Sequence, residues 1–325
     1  MMERFWQHGA RAASATSLCF ALTASLTSTH ANAFDIAGSQ TAPDVVAYGD
    51  SLTYGANSTP GVGSWPIQLH AISGLTVLNT GIPGQTSKGI AERAGASPLM
   101  LSSVDHTIHA AGPTAVRMDH YDIFQGIHSI DGTLAGIHGR IWKTDNSPVV
   151  YFERSVVGTA VSLPRAGSFV ADGVATGAGK GASSPTAAHS VAVVWACRND
   201  IAYGLSAEGC LQNVQSLTRL FSSHKQHFIV LAALNGEGEG RGTPKYMTMQ
   251  AINRGMKAAY PNNFIDIREV LIAHAQASDH EDAAADIVPR SLRLKDGVAD
   301  PQHLGDAGYA IVARSVFHFI STHHW

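Results

Sequence analysis

The residue with the clearest chemical potential is Ser51, which sits in Val45-Val46-Ala47-Tyr48-Gly49-Asp50-Ser51-Leu52-Thr53. An apolar, β-favouring run ends in a glycine turn, and polar Asp50 and Ser51 stand where a helix can begin. A hydroxyl at such a junction points out of the carboxyl edge of a sheet, beside helix amides that have no acceptor of their own and can stabilise a developing negative charge. That placement suits acyl transfer by a serine nucleophile. Three further residues are candidates for the same site: Gly81, Asn199 and His303. Taken singly, each of the four has an ordinary alternative, as a helix cap, a turn, an Asx-turn or a hydrogen-bonded structural histidine.

The elements that must position them follow from hydrophobic patterning. Apolar runs at Val45 to Tyr48, Leu75 to Asn79, Ser190 to Ala196, His227 to Leu234 and Phe264 to Ile267 alternate with helix-patterned stretches. Leu211, Val214, Leu217, Leu220 and Phe221 share one helical face, and Tyr309, Val312, Val316 and Ile320 share another. Strands this uniformly apolar are covered on both sides, so the pattern predicts a doubly wound α/β fold with a parallel sheet of about five strands. All four candidates follow a strand or open a helix, and such a sheet gathers them at one edge.

One gap breaks the rhythm, because a single crossover helix does not need the roughly hundred residues between the second and third runs. Residues 104–188 are therefore expected to be an inserted β-rich module. Leu134 to Trp142 and Val149 to Val157 flank a Thr144 to Ser147 turn as a hairpin, Ala160 to Leu163 and Ser168 to Val170 read as short strands, and Gly173 to Ser184 reads as linker. The expected organisation is 34–103 and 189–325 as two parts of the α/β domain around that insert.

With these segments in view, the chain resembles the GDSL, or SGNH, hydrolase superfamily. Gly49-Asp50-Ser51-Leu52 matches the block that carries the nucleophile, and Asn79-Thr80-Gly81-Ile82-Pro83-Gly84 matches the block whose glycine lends an amide. Asn199-Asp200 resembles the third block, and Asp300-Pro301-Gln302-His303 the closing block. The resemblance implies a flavodoxin-like sheet and a Ser51-His303-Asp300 triad. It also implies an oxyanion hole from the Ser51 and Gly81 amides and the Asn199 side chain. No cofactor or metal is implied. The expected activity is ester hydrolysis, of short-chain or carbohydrate O-acetyl esters, with a small-molecule or polysaccharide substrate. Lipase, thioesterase or O-acyltransferase chemistry, or a relict carbohydrate-binding protein, are the alternatives. Two positions depart from the pattern. Cys197 stands where a glycine is usual, and Leu304 replaces a proline. Arg198 then offers either a cation for substrate or a solvated surface charge.

Residues 1–33 read as an export signal, with Arg4 and Arg11 at the start, a small apolar stretch and Ala31-Asn32-Ala33 as a cleavage site. The expected location is periplasmic or extracellular. The whole chain has a net charge of −3, and no basic run exists to track a phosphate backbone, which argues against nucleic acid. Past the signal nothing is apolar enough to span a bilayer. Export would carry Cys197 and Cys210 to a compartment where disulfides persist, and pairing and two buried thiols are both open. Gly177-Ala178-Gly179-Lys180-Gly181 lacks the Ser/Thr of a phosphate loop, while His120, His128 and His138 lack metal-ligand spacing. Gly236 to Gly242 reads as a loop or a mobile lid at the same sheet edge.

Overall fold

Five strands build one parallel sheet: β1 (Val45–Gly49), β2 (Val77–Asn79), and, after a long excursion, three more near the middle and end of the chain. The structure, a computed structural model, describes residues 42–119, 122–124, 127–144, 149–173 and 190–325. The expected signal segment, His120 and the phosphate-loop look-alike lie outside the described residues, as does the Gly173 to Ser184 linker apart from Gly173.

The excursion comprises β3 (Leu99–Ser103), β4 (Thr107–Ile108), β5 (Pro113–Met118), β6 (Ser129–Leu134), β7 (Ile137–Trp142), β8 (Val150–Arg154), β9 (Val161–Ser162) and β10 (Gly167–Ala171). The sheet resumes with β11 (Val191–Trp195), β12 (His227–Leu231) and β13 (Phe264–Ile265). Its order is β13-β12-β11-β1-β2, all parallel, with Val45 opposite Val191 and Gly49 opposite Trp195. The chain winds outward in both directions from the β1–β11 pair, which makes that pair the switch point where ligand crevices form at carboxyl ends.

Helices cover both faces. They are α1 (Ser51–Tyr54), α2 (Trp65–Ser73), α3 (Ser87–Arg93), α4 (Arg198–Ala202), α5 (Ala207–Ser223), α6 (Pro244–Ala259), α7 (Ile267–Ile272), α8 (His280–Ala285) and α9 (Asp306–His323). Alternation within β1 decides which face each residue serves. Val45 and Ala47 pack with Trp65, Leu69, Leu271, Tyr309 and Val312, whereas Val46 and Tyr48 pack with Ile90, Val214, Leu217 and Ile252. The helical faces expected around Leu217 and Val312 are those that bury.

The insert is more than a small β module. β10, β3, β5, β8, β7 and β6 close into a six-stranded antiparallel barrel around a core of its own, with Leu101, Ile141, Phe152 and Phe169 inside. It starts at Leu99, ahead of the expected boundary, because Leu99 and Leu101 point into this barrel core. The run read as one strand from Leu134 to Trp142 is two strands, broken at Ala135 and Gly136 with φ of +50° and +80°. That is a two-residue hairpin turn, and alanine in its first position gave no turn signal. The expected pairing of β7 with β8 is present, although Asp145 to Pro148 lie outside the described residues. At the sheet's end, Ile267 opens α7 rather than closing a strand. Among the described residues no helix is long and apolar enough to cross a membrane.

Candidate active site

The serine elbow is built by close approach. Asp50 caps α1 by accepting from the Leu52 amide at 2.9 Å, and Ser51 occupies the first helical position, whose amide the helix leaves without an acceptor. Gly49 and Gly81 are needed here for room. A Cβ on Gly49 would collide with the Thr53 hydroxyl and the Trp195 carbonyl, and one on Gly81 with the backbone of Asp50, Thr53 and Tyr54.

His303 and Ser51 lie 252 positions apart in sequence, yet Ser51 Oγ is 2.9 Å from His303 Nε2. The ring's other nitrogen, Nδ1, is 3.1 Å from Asp300 Oδ1. Burial alone would raise the Asp300 carboxyl, but the amides of Gln302 and His303 at 2.7 and 2.8 Å and the facing imidazole outweigh it and hold the group below its ordinary value. It is therefore an anion at neutral pH, fit to orient the imidazole and its tautomer. The loop after α1 is stitched to the segment carrying the histidine. Asn57 donates to the Arg293 carbonyl at 3.0 Å, Tyr309 to the Ala56 carbonyl at 2.8 Å, and the Thr59 amide to Asp306 at 2.7 Å. Buried Arg293 grips the Asp300 carbonyl at 2.6 Å.

The oxyanion candidates occupy a linked wall. Asn199 is buried and donates one N–H to the Gln85 carbonyl at 2.8 Å. Its Nδ2 carries a second hydrogen with no acceptor among the described residues. Asp200 receives the Ser87 amide and hydroxyl at 2.7 and 2.6 Å, while Arg93 holds the same turn through the Thr80 carbonyl at 2.8 Å and Gln85 Oε1 at 3.0 Å. The Gly81 amide donates to Asn79 Oδ1 at 2.9 Å, so it can join an oxyanion pocket only by exchanging that acceptor for a substrate oxygen.

Arg198 is not a solvated charge. It is buried and pairs with Glu239 at 3.0 Å, which also accepts from the Gly236 amide at 2.9 Å. Glu237 N donates to the Pro301 carbonyl at 2.7 Å, so the glycine-rich stretch is a tie between the Asn199 and His303 segments rather than a free lid. Sequence reasoning missed Glu239 because the alternating Gly-Glu text does not distinguish it from exposed Glu237. Glu239→Gln leaves the Arg198 charge uncompensated in the interior, and is expected to cost about 3 kcal/mol of stability in urea unfolding.

Asp50, read from sequence only as opening the helix, is also fully buried. Burial pushes its carboxyl up to about 7, against the Leu52 amide and the Arg198 charge, which lower it. With its carboxyl at about 7, a substantial fraction of Asp50 stays protonated near neutrality, which lessens the negative charge that would face an oxyanion at the elbow. The native state thus binds this proton more tightly than the unfolded chain, so its contribution to stability is full below about pH 4 and is lost as pH rises toward 7. Asp50→Asn is expected to flatten that slope, shrinking the stability difference between pH 5 and pH 7.5 by about 3 kcal/mol.

A second serine, histidine and aspartate group shows why distances alone do not make a site. On the barrel, His138 lies 2.8 Å from Ser155 Oγ and 2.6 Å from Asp172. These groups are exposed, and the Ser155 amide is already donated to the His138 carbonyl at 3.0 Å. Ser155 therefore lacks the free amide and low dielectric that the Ser51 elbow has.

Solved structures similar to this chain include a member of the lipolytic protein G-D-S-L family from Veillonella parvula DSM 2008, at 12% identity and a TM-score of 0.46 over 85% of this chain and 97% of that one. The resemblance is to GDSL hydrolases. A GDSL-like lipase from Bacteroides thetaiotaomicron VPI-5482 overlaps at 13% identity and a TM-score of 0.41, covering 86% of this chain and 88% of that one. A carbohydrate acetylesterase family member from Sinorhizobium meliloti gives 13% and 0.41, covering 86% and 97%. The tail spike protein of Salmonella phage epsilon15 is 25% identical over 273 residues, which are 78% of this chain and 25% of that protein. The chain thus spans about a quarter of that relative's length. No protein-family model matches the chain. A catalytic reading of this chain therefore rests on the four sequence blocks and the geometry within this molecule.

Proposed function

We propose that the protein is an exported serine esterase of the GDSL type, with Ser51 as nucleophile, His303 as base and Asp300 as its orienting acid. The observation that carries this reading is the unbroken relay of Ser51 Oγ, His303 and Asp300 at 2.9 and 3.1 Å. Ser51 attacks the ester carbonyl as His303 Nε2 takes its proton. The Ser51 amide and Asn199 Nδ2 then meet the developing oxyanion, with the Gly81 amide joining as it leaves Asn79. His303 returns the proton to the departing alcohol, and water activated by the same ring releases the acid. A buried disulfide, Cys197 with Cys210, and the export-like start of the sequence support an oxidising destination.

The proposed substrates are short-chain acyl esters, carbohydrate O-acetyl groups among them. The barrel supports this because it leans on the oxyanion wall. Gln85 donates to the Ile123 carbonyl at 3.2 Å and Lys88 meets Asp119 at 2.7 Å, so the connection between β5 and β6 packs against the turn that accepts from Asn199, and a bulky alcohol would rest against it. The test is a paired assay on purified protein with a fluorophosphonate and with p-nitrophenyl acetate and octanoate. Labelling at Ser51 and at least about a tenfold preference in kcat/KM for acetate are expected, the latter a difference of roughly 1.4 kcal/mol. Preference for octanoate would move the reading to a lipase, and absence of both labelling and turnover would leave a binding protein.

A further inference from the structure

Cys197 stands apart from every other residue in its conformation. Eight non-glycine residues have positive φ, namely Asn57, His106, Ala135, Cys197, Lys225, Asp286, Asp296 and His324, and among the described residues Cys197 is the one that is fully buried. The others lie in exposed or half-buried turns, where the chain can relax. Cys197, at φ +77° and ψ −1°, precedes α4 as its N-cap and makes no side-chain capping bond. A side chain with a Cβ resists this left-handed region, whereas glycine enters it freely.

Its neighbours make the conformation consequential. The Cys197 carbonyl accepts from the Ile201 amide at 3.2 Å, which starts the helix, and Asn199 and Asp200 at once bind the Gln85 to Ser87 turn. α4 has only five residues, far too few to hold its own shape. Cys210, by contrast, lies on the 17-residue α5, whose Val214, Leu217 and Phe221 are locked in the core. The two cysteines are bonded with Cα atoms 5.9 Å apart.

We propose that the Cys197–Cys210 disulfide is a positioning device for the oxyanion donor. It anchors to α5 a left-handed residue that would otherwise relax, and so fixes the start of α4 and the direction of the Asn199 carboxamide. The inference rests on the esterase reading for the role of Asn199, but the conformational part stands without it. The bond supplies by covalent restraint what a glycine at position 197 would supply by lacking a Cβ. Cys197 and Cys210 touch neither substrate nor reacting atoms in this scheme.

Two double variants test it. Cys197→Ala with Cys210→Ala removes the tether and keeps the Cβ, while Cys197→Gly with Cys210→Ala removes both. The alanine pair is expected to lose about thirtyfold in kcat with KM within about twofold, and the glycine pair to stay within about threefold of wild-type kcat. Amide hydrogen exchange over residues 198–203 is measured in parallel, with fast exchange expected in the alanine pair and near wild-type protection in the glycine pair. Equal kcat or equal exchange in the two pairs would overturn the proposal and leave the bond a general staple. If the alanine pair does not fold, the glycine pair decides, since a tenfold or greater fall in its kcat refutes the positioning role. Wild-type protein that hydrolyses no ester refutes the esterase reading instead, and the exchange comparison still judges the disulfide.

Discussion

Ser51→Ala is expected to lose roughly a millionfold in ester turnover, because one missing member disables a relay that acts as a unit. The side chain is small and its hydroxyl makes one bond, to His303 at 2.9 Å. Stability should therefore stay within about 1 kcal/mol of wild type, so that loss of activity cannot be loss of fold. The double variant with His303→Ala should be no slower than either single one, since each already abolishes the same proton transfer. Steady-state hydrolysis of p-nitrophenyl acetate, with fluorophosphonate labelling as an independent readout, checks this. Turnover of Ser51→Ala within tenfold of wild type would end the serine mechanism.

Asn199→Ala has the next largest expected effect, a fall of about a hundred- to a thousandfold in kcat, or roughly 3–4 kcal/mol of transition-state stabilisation. An oxyanion exists only after attack, so the loss should appear in kcat and leave KM nearly unchanged. Asn199 also satisfies the Gln85 carbonyl at 2.8 Å, and its removal should cost about 1–3 kcal/mol in unfolding experiments. The two effects separate because the second is seen in stability and the first is not. A KM rise at constant kcat would instead make Asn199 a ground-state contact.

The elements that sequence made legible are those fixed by local pattern. The strands around Val46, Val193 and Ile229 read as continuous apolar runs because both of their faces are buried, and their five-membered parallel sheet follows from that. Ser51, Asp300 and His303 could be proposed as a relay because each sits in a short block with its own turn chemistry, and the structure brings them within 2.9 and 3.1 Å of one another. What stayed hidden depends on partners remote in sequence. Arg198 looked free because Glu239, its counter-ion, lies 41 positions away among glycines. The barrel looked like a hairpin with loose strands because its closure joins β10 to β3 and β6, which no local pattern announces. Gly81 looked like a free donor because an Asx-turn from Asn79 takes its amide. Cys197 and Cys210 left pairing open, since Cα separation is not written in spacing.

The barrel's position between β2 and β11 also sets when the proposed relay can first form. β1 must wait for β11, its neighbour in the sheet, until the whole barrel has been made, and Ser51 must wait for a ring 252 residues downstream. At about 5–20 residues per second of synthesis, that is a delay of roughly ten to fifty seconds. A growing chain therefore carries Ser51 without its imidazole partner, and the proposed relay cannot assemble before nearly the whole chain has been made.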